Sequence, residues 1–316
     1  MARARVTGQV SEADAQVLVS DTDVSSAEAS SDSASSSGAF SDEVLSLALR
    51  TPTLPPATHT QSYALGSREL LLVEPATPYL EEQRRFVEWA RALAGQGRAL
   101  RGIVITHHHP DHVGGAGALA RELSLPLLAH PLTLERLDLK DTAGVATQAL
   151  EEGQVLELGG PTEERWQVLH TPGHAPGHLC LFEPRLRRLV VGDMVASEGT
   201  ILIEPKDGHM TTYLTALERL EGLGAALALP AHGAPISEPS ALFRHYIQHR
   251  LAREAKVQEA VRSLGRATTQ ELVKVAYDDT PRAVWGLAEL SLRAHLIRLT
   301  ELGLTATDGE HHWLTT

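Results

Sequence analysis

The residues best suited to chemistry sit in one heptapeptide, Thr106-His107-His108-His109-Pro110-Asp111-His112, which carries four imidazoles and one carboxylate. It follows on a short apolar run at 102–106 (GIVIT) that reads as a buried strand. A chain leaving a strand turns alternate side chains to the same side. His107 and His109 can therefore face one metal ion while His108 points away and supports the loop. Asp111 and His112 come after the turn at Pro110 and can reach a second ion close by. Histidine nitrogen and aspartate oxygen are ligands that zinc accepts, and they suit iron or manganese as well.

Three later clusters repeat the pattern of a ligand residue at the end of an apolar run. Thr171-Pro172-Gly173-His174 is a Gly/Pro turn that delivers a histidine, Gly192-Asp193 follows the run 189–191, and Pro230-Ala231-His232-Gly233 follows 225–229. Sites in layered α/β folds are built at such ends. An accidental His-rich turn would not bring these companions. His170 and His178 lie four residues to either side of His174 and read as loop supports, His178 within hydrogen-bond reach of the site. His59 reads either as a pocket residue or as a plain loop histidine, and Cys180 as a small core residue.

The elements that must hold these residues are legible from periodicity. Residues 69–73 (ELLLV), 125–129, 166–169, 178–182 and 189–191 read as short buried strands, and 79–93 and 115–123 as helices. Their alternation is that of an α/β fold. Ahead of them, 1–40 is a Ser/Ala-rich tail with too little apolar surface to offset its ordering entropy, and it is expected to be disordered. The catalytic unit is assigned to 41–238 and a second unit to 239–316. In the second unit 241–264 reads as a long helix, and Thr268-Thr269-Gln270-Glu271 as a capping box opening a helix at 271–277. A third helical stretch spans 281–302 and stops at Gly303, and 304–307 with 311–314 reads as a hairpin. Three helices followed by a hairpin is the winged-helix pattern.

Together the motifs resemble the metallo-β-lactamase superfamily. His107 to His112 fit its HxHxDH signature, and the order continues through Pro172-Gly173-His174, Gly192-Asp193 and Pro230-Ala231-His232-Gly233. The resemblance implies a four-layer αββα sandwich with the site along one edge of its two sheets. It implies that His107, His109 and His174 bind a first metal, that Asp111, His112 and His232 bind a second, and that Asp193 bridges them. Two such metals, expected to be zinc, would hold a water or hydroxide of depressed pKa as nucleophile and polarise the scissile carbonyl or phosphoryl group. Asp111 would in addition orient the nucleophile. The complete ligand set is more similar to thioester hydrolases of the glyoxalase II type and to the RNA-cleaving branches than to the superfamily's own β-lactamases.

A narrower resemblance is to the β-lactamase-like protein 2 family, which joins this catalytic domain to a C-terminal winged helix. It is carried by His170 to His174, Gly192-Asp193 with Ser197-Glu198-Gly199-Thr200, Tyr213-Leu214 to Leu220, Pro230 to Gly233, and Tyr246-Ile247-Gln248-His249-Arg250 through Arg253-Glu254. The family's animal member is similar to an endoribonuclease, and its fungal relatives act as polyketide thioesterases. The implied substrate is therefore single-stranded RNA or a small acyl ester or thioester. There is one departure at the site: Glu74-Pro75-Ala76 stands where the family has Asp-x-Gly, whose aspartate supports the metal loop. Glu74 would serve with a longer reach, with consequences for metal affinity or site geometry.

Composition bounds the function classes. The 316 residues suffice for more than one domain, and no apolar run approaches the ~20 residues of a membrane-spanning helix. With no apolar stretch of signal-peptide length after Arg3 and Arg5, and a single cysteine, the chain is expected in the cytoplasm. The net charge of −12 argues against non-specific nucleic-acid binding by the whole surface. From 241 to 316, ten Lys or Arg stand against nine Asp or Glu, which favours an architectural role for the winged helix. Arg244, Arg250, Arg253 and Lys256 would nevertheless form a basic stripe at helical spacing if that face were free. The competing readings are a winged-helix nucleic-acid-binding protein with a vestigial hydrolase domain, which the complete ligand set opposes, and iron-dependent oxygen chemistry. The oligomeric state does not follow from the sequence.

Overall fold

Runs that are apolar at every position become strands covered on both faces, and two sheets of such strands are pressed together here. The computed structural model describes residues 44–161 and 163–315, so the tail expected at 1–40 lies outside the described residues. The first sheet holds β1 (Leu45–Arg50), β2 (His59–Leu65), β3 (Glu69–Val73), β4 (Ala99–Val104), β5 (Leu127–Ala129) and β6 (Thr147–Ala149) in that spatial order. β1 to β3 are antiparallel. β3 to β6 are parallel, because crossovers carry the chain back between them. α1 (Leu80–Gly95) makes the first return, and α2 (Pro110–Val113) with α3 (Ala116–Leu123) the second. The single turn α4 (Pro131–Leu134) lies in the third.

The second sheet is a meander of β7 (Val155–Leu158), β8 (Glu164–His170), β9 (Leu179–Glu183) and β10 (Arg188–Gly192). It is completed by β11 (Leu227–Pro230), which returns parallel to β10 after α5 (Met210–Gly222). Side chains of β3 divide as the pleat requires. Leu71 and Val73 join Trp166, Val168 and Leu181 between the sheets, whereas Leu70 and Leu72 join Phe86 of α1 and Leu119 of α3 outside. On the far side Leu189 and Val191 pack with Tyr213 and Leu217 of α5. The result is the four-layer αββα sandwich.

The C-terminal unit consists of α6 (Pro239–Leu264), β12 (Ala267–Thr268), α7 (Thr269–Ala276), α8 (Trp285–Glu301), β13 (Thr305–Thr307) and β14 (His311–Leu314). Its small sheet has the order β12-β14-β13. The capping box is present at Thr268, whose hydroxyl accepts from Glu271 N while Glu271 accepts from Thr268 N. α8 begins at Trp285, later than the helical stretch reads, because Arg282–Val284 form a 3₁₀ turn after Pro281.

α6 belongs to two cores. Phe243 and Tyr246 lie in the cluster of the catalytic unit, as does Ala294 of α8, while Val257, Ala260 and Val261 close the core of the winged helix. The four basic residues of α6 do not form a free stripe. Arg250 is buried, Arg244 pairs with Glu221, and Arg253 and Lys256 share Asp279. Among the described residues no helix is long and apolar enough to cross a membrane.

Residues 44–238 therefore share their core with α6. Phe243 is fully buried, and burial of such a side chain is worth roughly 2–3 kcal/mol. A chain cut after residue 238 is expected to lose cooperative thermal unfolding and to aggregate. A soluble fragment with a sharp calorimetric transition would contradict the shared core.

Candidate metal centre

Five strands end at the same edge and each end supplies a part. β3 delivers Glu74, β4 the histidine heptapeptide, β8 the turn with His174, β10 Asp193, and β11 His232. Backbone crowding dictates the glycines beside them. Gly173 has φ +134°, and a Cβ there would fall 2.3 Å from Tyr213 Cα, so the loop bearing His174 lies directly against the start of α5. Gly192 has φ +48°, and a Cβ would meet His178 Nε2 at 2.6 Å.

All seven residues picked out from the sequence converge. In the first cluster His107 Nε2 is 3.0 Å from His109 Nδ1, and His174 Nε2 is 3.2 Å and 2.9 Å from those two nitrogens. In the second, Asp111 presents Oδ2 to His232 Nε2 at 3.4 Å and Oδ1 to His112 Nε2 at 3.9 Å. Asp193 stands between the clusters. Its Oδ2 lies 3.5 Å from His174 Nε2, and its Oδ1 lies 3.5 Å from His112 Nε2 and 3.4 Å from His232 Nε2. Tetrahedral ligands at zinc bond lengths of ~2.1 Å sit roughly 3.4 Å from one another, so these spacings are those of ligand sets. The buried Asp193 Oδ1 and His112 Nε2 also make no hydrogen bond among the described residues. Such orphaned atoms fit a cation. A further trio, His108, His109 and Asp207, could also hold an ion. There, however, His109 offers only Nε2, 3.8 Å from Asp207 Oδ2, because its Nδ1 faces the first cluster.

Hydrogen bonds on the far side of His107, His174 and His232 orient these rings, as suits metal-binding histidines. His174 Nδ1 donates to Leu202 O and His232 Nδ1 to His59 O, both at 3.0 Å, which turns each Nε2 toward the site. His59 thus contributes its carbonyl; its own ring is exposed. Thr106 Oγ1 donates to Glu74 and therefore accepts from His107 Nδ1 at 3.0 Å. Glu74 Oε1 also lies 3.1 Å from His112 Nδ1, at ion-pair distance though out of line for a hydrogen bond. The longer side chain thus faces His112 of the second cluster directly and supports His107 of the first through Thr106. His178 Nε2 accepts from Asp193 N at 3.1 Å, so this histidine braces the central aspartate. His108 meets Asp207 at 3.3 Å, and His170 donates to Pro176 O. Asp207 had no signal in the sequence beyond its residue type.

Charge divides the site. Burial, with the neighbouring imidazoles, holds His107 well below the ordinary histidine range and His109 at about 3; burial likewise lowers His174. These three are neutral and ready to ligate. Burial also disfavours charge on His112 and His232, but it is outweighed. The carboxylates of Glu74, Asp193 and Asp111 raise His112 well above its usual value, and Asp193 with Asp111 raises His232 to about 10.

This fold and this site define a class of metal-dependent hydrolases. The family profile of the metallo-β-lactamase superfamily matches residues 56–232, and that of the β-lactamase-associated winged-helix domain matches 268–313. The chain belongs to the metallo-β-lactamase superfamily and is a metal-dependent hydrolase. It is 30% identical over 226 residues to a β-lactamase-like protein 2 homolog of Caenorhabditis elegans, covering 71% of this chain and 73% of that one. It is 28% identical over 237 residues to an atrochrysone carboxyl ACP thioesterase of Aspergillus chevalieri, covering 71% of this chain and 70% of that one. A solved metallo-β-lactamase family protein of Thermus thermophilus shares the fold with a TM-score of 0.69 at 24% identity, over 88% of this chain and all (100%) of the other.

Two outcomes follow. Glu74→Gln keeps the shape but removes the charge facing His112, and is expected to weaken metal binding roughly 10–100-fold in a chelator competition; unchanged affinity would show that Glu74 is dispensable. Because His112 and His232 are raised above neutrality, they carry protons at pH 7 in the metal-free protein, and ligation must displace them. Metal uptake is expected to acidify a weakly buffered solution and to tighten as pH rises. Uptake without proton release would place the metals elsewhere.

Proposed function

We propose that the chain is a dinuclear zinc hydrolase acting on small acyl esters or thioesters. The observation that carries this reading is the pocket. A cavity of about 240 Å³ opens onto Asp111, His174, Asp193 and His232. Pro52, Leu54 and Pro56 form one wall, and Ile201 and Leu202 another. Its charged residues outside the clusters are Glu198, Glu204 and Asp207, and among the described residues that line it none is Lys or Arg. Apolar walls and small volume suit an acyl group. A polyanionic strand needs a basic track, so cleavage of single-stranded RNA stands second. The similarity to proteins named as thioesterases supports the same order.

Bound in the two clusters, zinc would supply an acidified water as nucleophile and offset the charge developing on the carbonyl oxygen. The protein's own part is orientation and exclusion of solvent. Burial works against ionisation of Asp111, but His112 and His232 outweigh it and bring the carboxyl down to about 2. It borders the pocket as an ionised acceptor able to orient the attacking water. Leu54 and Ile201 line the pocket and would pack against the acyl chain of a bound substrate.

The test is elemental analysis paired with hydrolysis of a short-chain acyl thioester and of labelled single-stranded RNA, each with and without chelator. About two zinc per chain and chelator-sensitive thioester turnover are expected, with turnover at background in His109→Ala and Asp193→Ala. Faster RNA cleavage would reverse the substrate class. Iron without hydrolysis would point to oxygen chemistry. Full biological activity in both metal-free variants would make the hydrolase domain vestigial.

A further inference from the structure

One wall of the pocket is the segment 194–202, which contains neither helix nor strand and so depends on anchors from outside. Its anchors are buried side chains. Tyr213 of α5 donates its hydroxyl proton to Met194 O at 2.7 Å. Tyr246 of α6 accepts from Ala196 N and donates to Ala196 O, both at 3.2 Å. Arg250, one turn further along α6, donates from Nη2 to Ile201 O. Its guanidinium lies over the ring of Tyr213, Cζ 5.7 Å from the centroid. The next carbonyl, that of Leu202, is the acceptor for His174 Nδ1. Two consecutive carbonyls therefore link Arg250 to an imidazole of the first cluster.

The burial of Arg250 calls for a reason. Only 4% of it is exposed, and a charge taken out of water is costly unless the geometry requires it. Its described partners are a backbone carbonyl and Tyr213, where a stabilising role alone would be served as well by an apolar side chain. α8 adds a second and weaker hold. Glu301 accepts from His209 Nε2 at 2.7 Å and from Thr211 Oγ1 at 2.9 Å, and His209 N donates to Gly173 O beside His174. Glu301 is exposed, so that hold is screened by solvent.

We propose that Arg250, assisted by Tyr246, is a positioning residue of the metal centre: it fixes the Ile201 carbonyl and thereby the following one, Leu202 O, which orients His174, and so makes α6 a part of the hydrolytic site. The proposal rests on the reading of His174 as a metal ligand.

The experiment uses the full chain with cobalt as the probe metal, because its visible absorption reports ligand geometry directly. Arg250→Met is expected to weaken cobalt binding roughly tenfold, to alter the absorption band and to lower kcat more than it changes KM. Arg250→Lys, which can still donate to Ile201 O, is expected to recover part of each effect. Arg253→Met is the comparison, since Arg253 pairs with Asp279 and Ala276 O inside the winged-helix unit; it is expected to lower the melting temperature and leave the cobalt spectrum unchanged. His174→Ala is expected to lose cobalt from the first cluster. The proposal is overturned if folded Arg250→Met binds cobalt with wild-type affinity and spectrum while His174→Ala does not. It is also overturned if Arg253→Met weakens binding as much, since Arg250 would then act through helix stability alone. Should Arg250→Met fail to fold, Tyr246→Phe decides, and a wild-type spectrum and affinity there count against the proposal. Full cobalt binding by His174→Ala overturns it together with the metal assignment, and marks that assignment as the fault.

Discussion

A single buried carboxylate ties the metal centre to the sheet beneath it. Glu74 is 1% exposed and directly follows β3 in the left-handed region, with φ +62°, a backbone state that costs a residue with a side chain of order 1–3 kcal/mol. The surroundings hold it there. Its N–H donates to Val104 O at 2.9 Å and its carbonyl accepts from Ser62 Oγ at 2.6 Å. In that posture its carboxylate reaches Thr106, which sets the tautomer of His107, and faces His112. One candidate ligand of each cluster thus leans on one side chain, and the strain is local to the place where the two clusters meet.

The rest of the architecture delivers the other candidate ligands to the same edge. Parallel strands in the middle of the first sheet expose their C-terminal ends together, and the β10–β11 pair does the same in the second. The sheets are held together by a buried apolar interface containing Trp166, Tyr63 and Val190, which ties the loops carried by the two sheets to one another. The winged helix enters this frame from outside. Its first helix fills the catalytic core with Phe243 and holds the pocket wall with Tyr246 and Arg250. An appended unit of near-neutral charge therefore does structural work at the site, without presenting the basic surface its helical spacing suggested.

Legibility from sequence followed the range of the interaction. β3 and β10 were readable because both faces are apolar, and the capping box at Thr268 because its partners are three residues apart. β2 (HTQSYAL) was not, since its inward Thr60 and Ser62 are satisfied by Thr51 and by the Glu74 carbonyl, partners distant along the chain. β6 is exposed throughout, and β12 exists only through its pairing with β14. The segment that became α5 entered the reading only as part of a family likeness.

The sequence alone determined which atoms can ligate a metal, because coordination demands particular residue types and the turns that present them are local: His107, His109, Asp111, His112, His174, Asp193 and His232 all sit in short motifs at the ends of apolar runs. Tertiary structure alone decided that Asp193 stands between the clusters, that Glu74 faces one and supports the other through Thr106, that the pocket is walled by apolar and acidic residues, and that Arg250 lies inside and not on a basic face. Each of these depends on distances between segments far apart in the chain. Those distances are set by how two sheets and a long helix pack, which residue type and spacing do not encode.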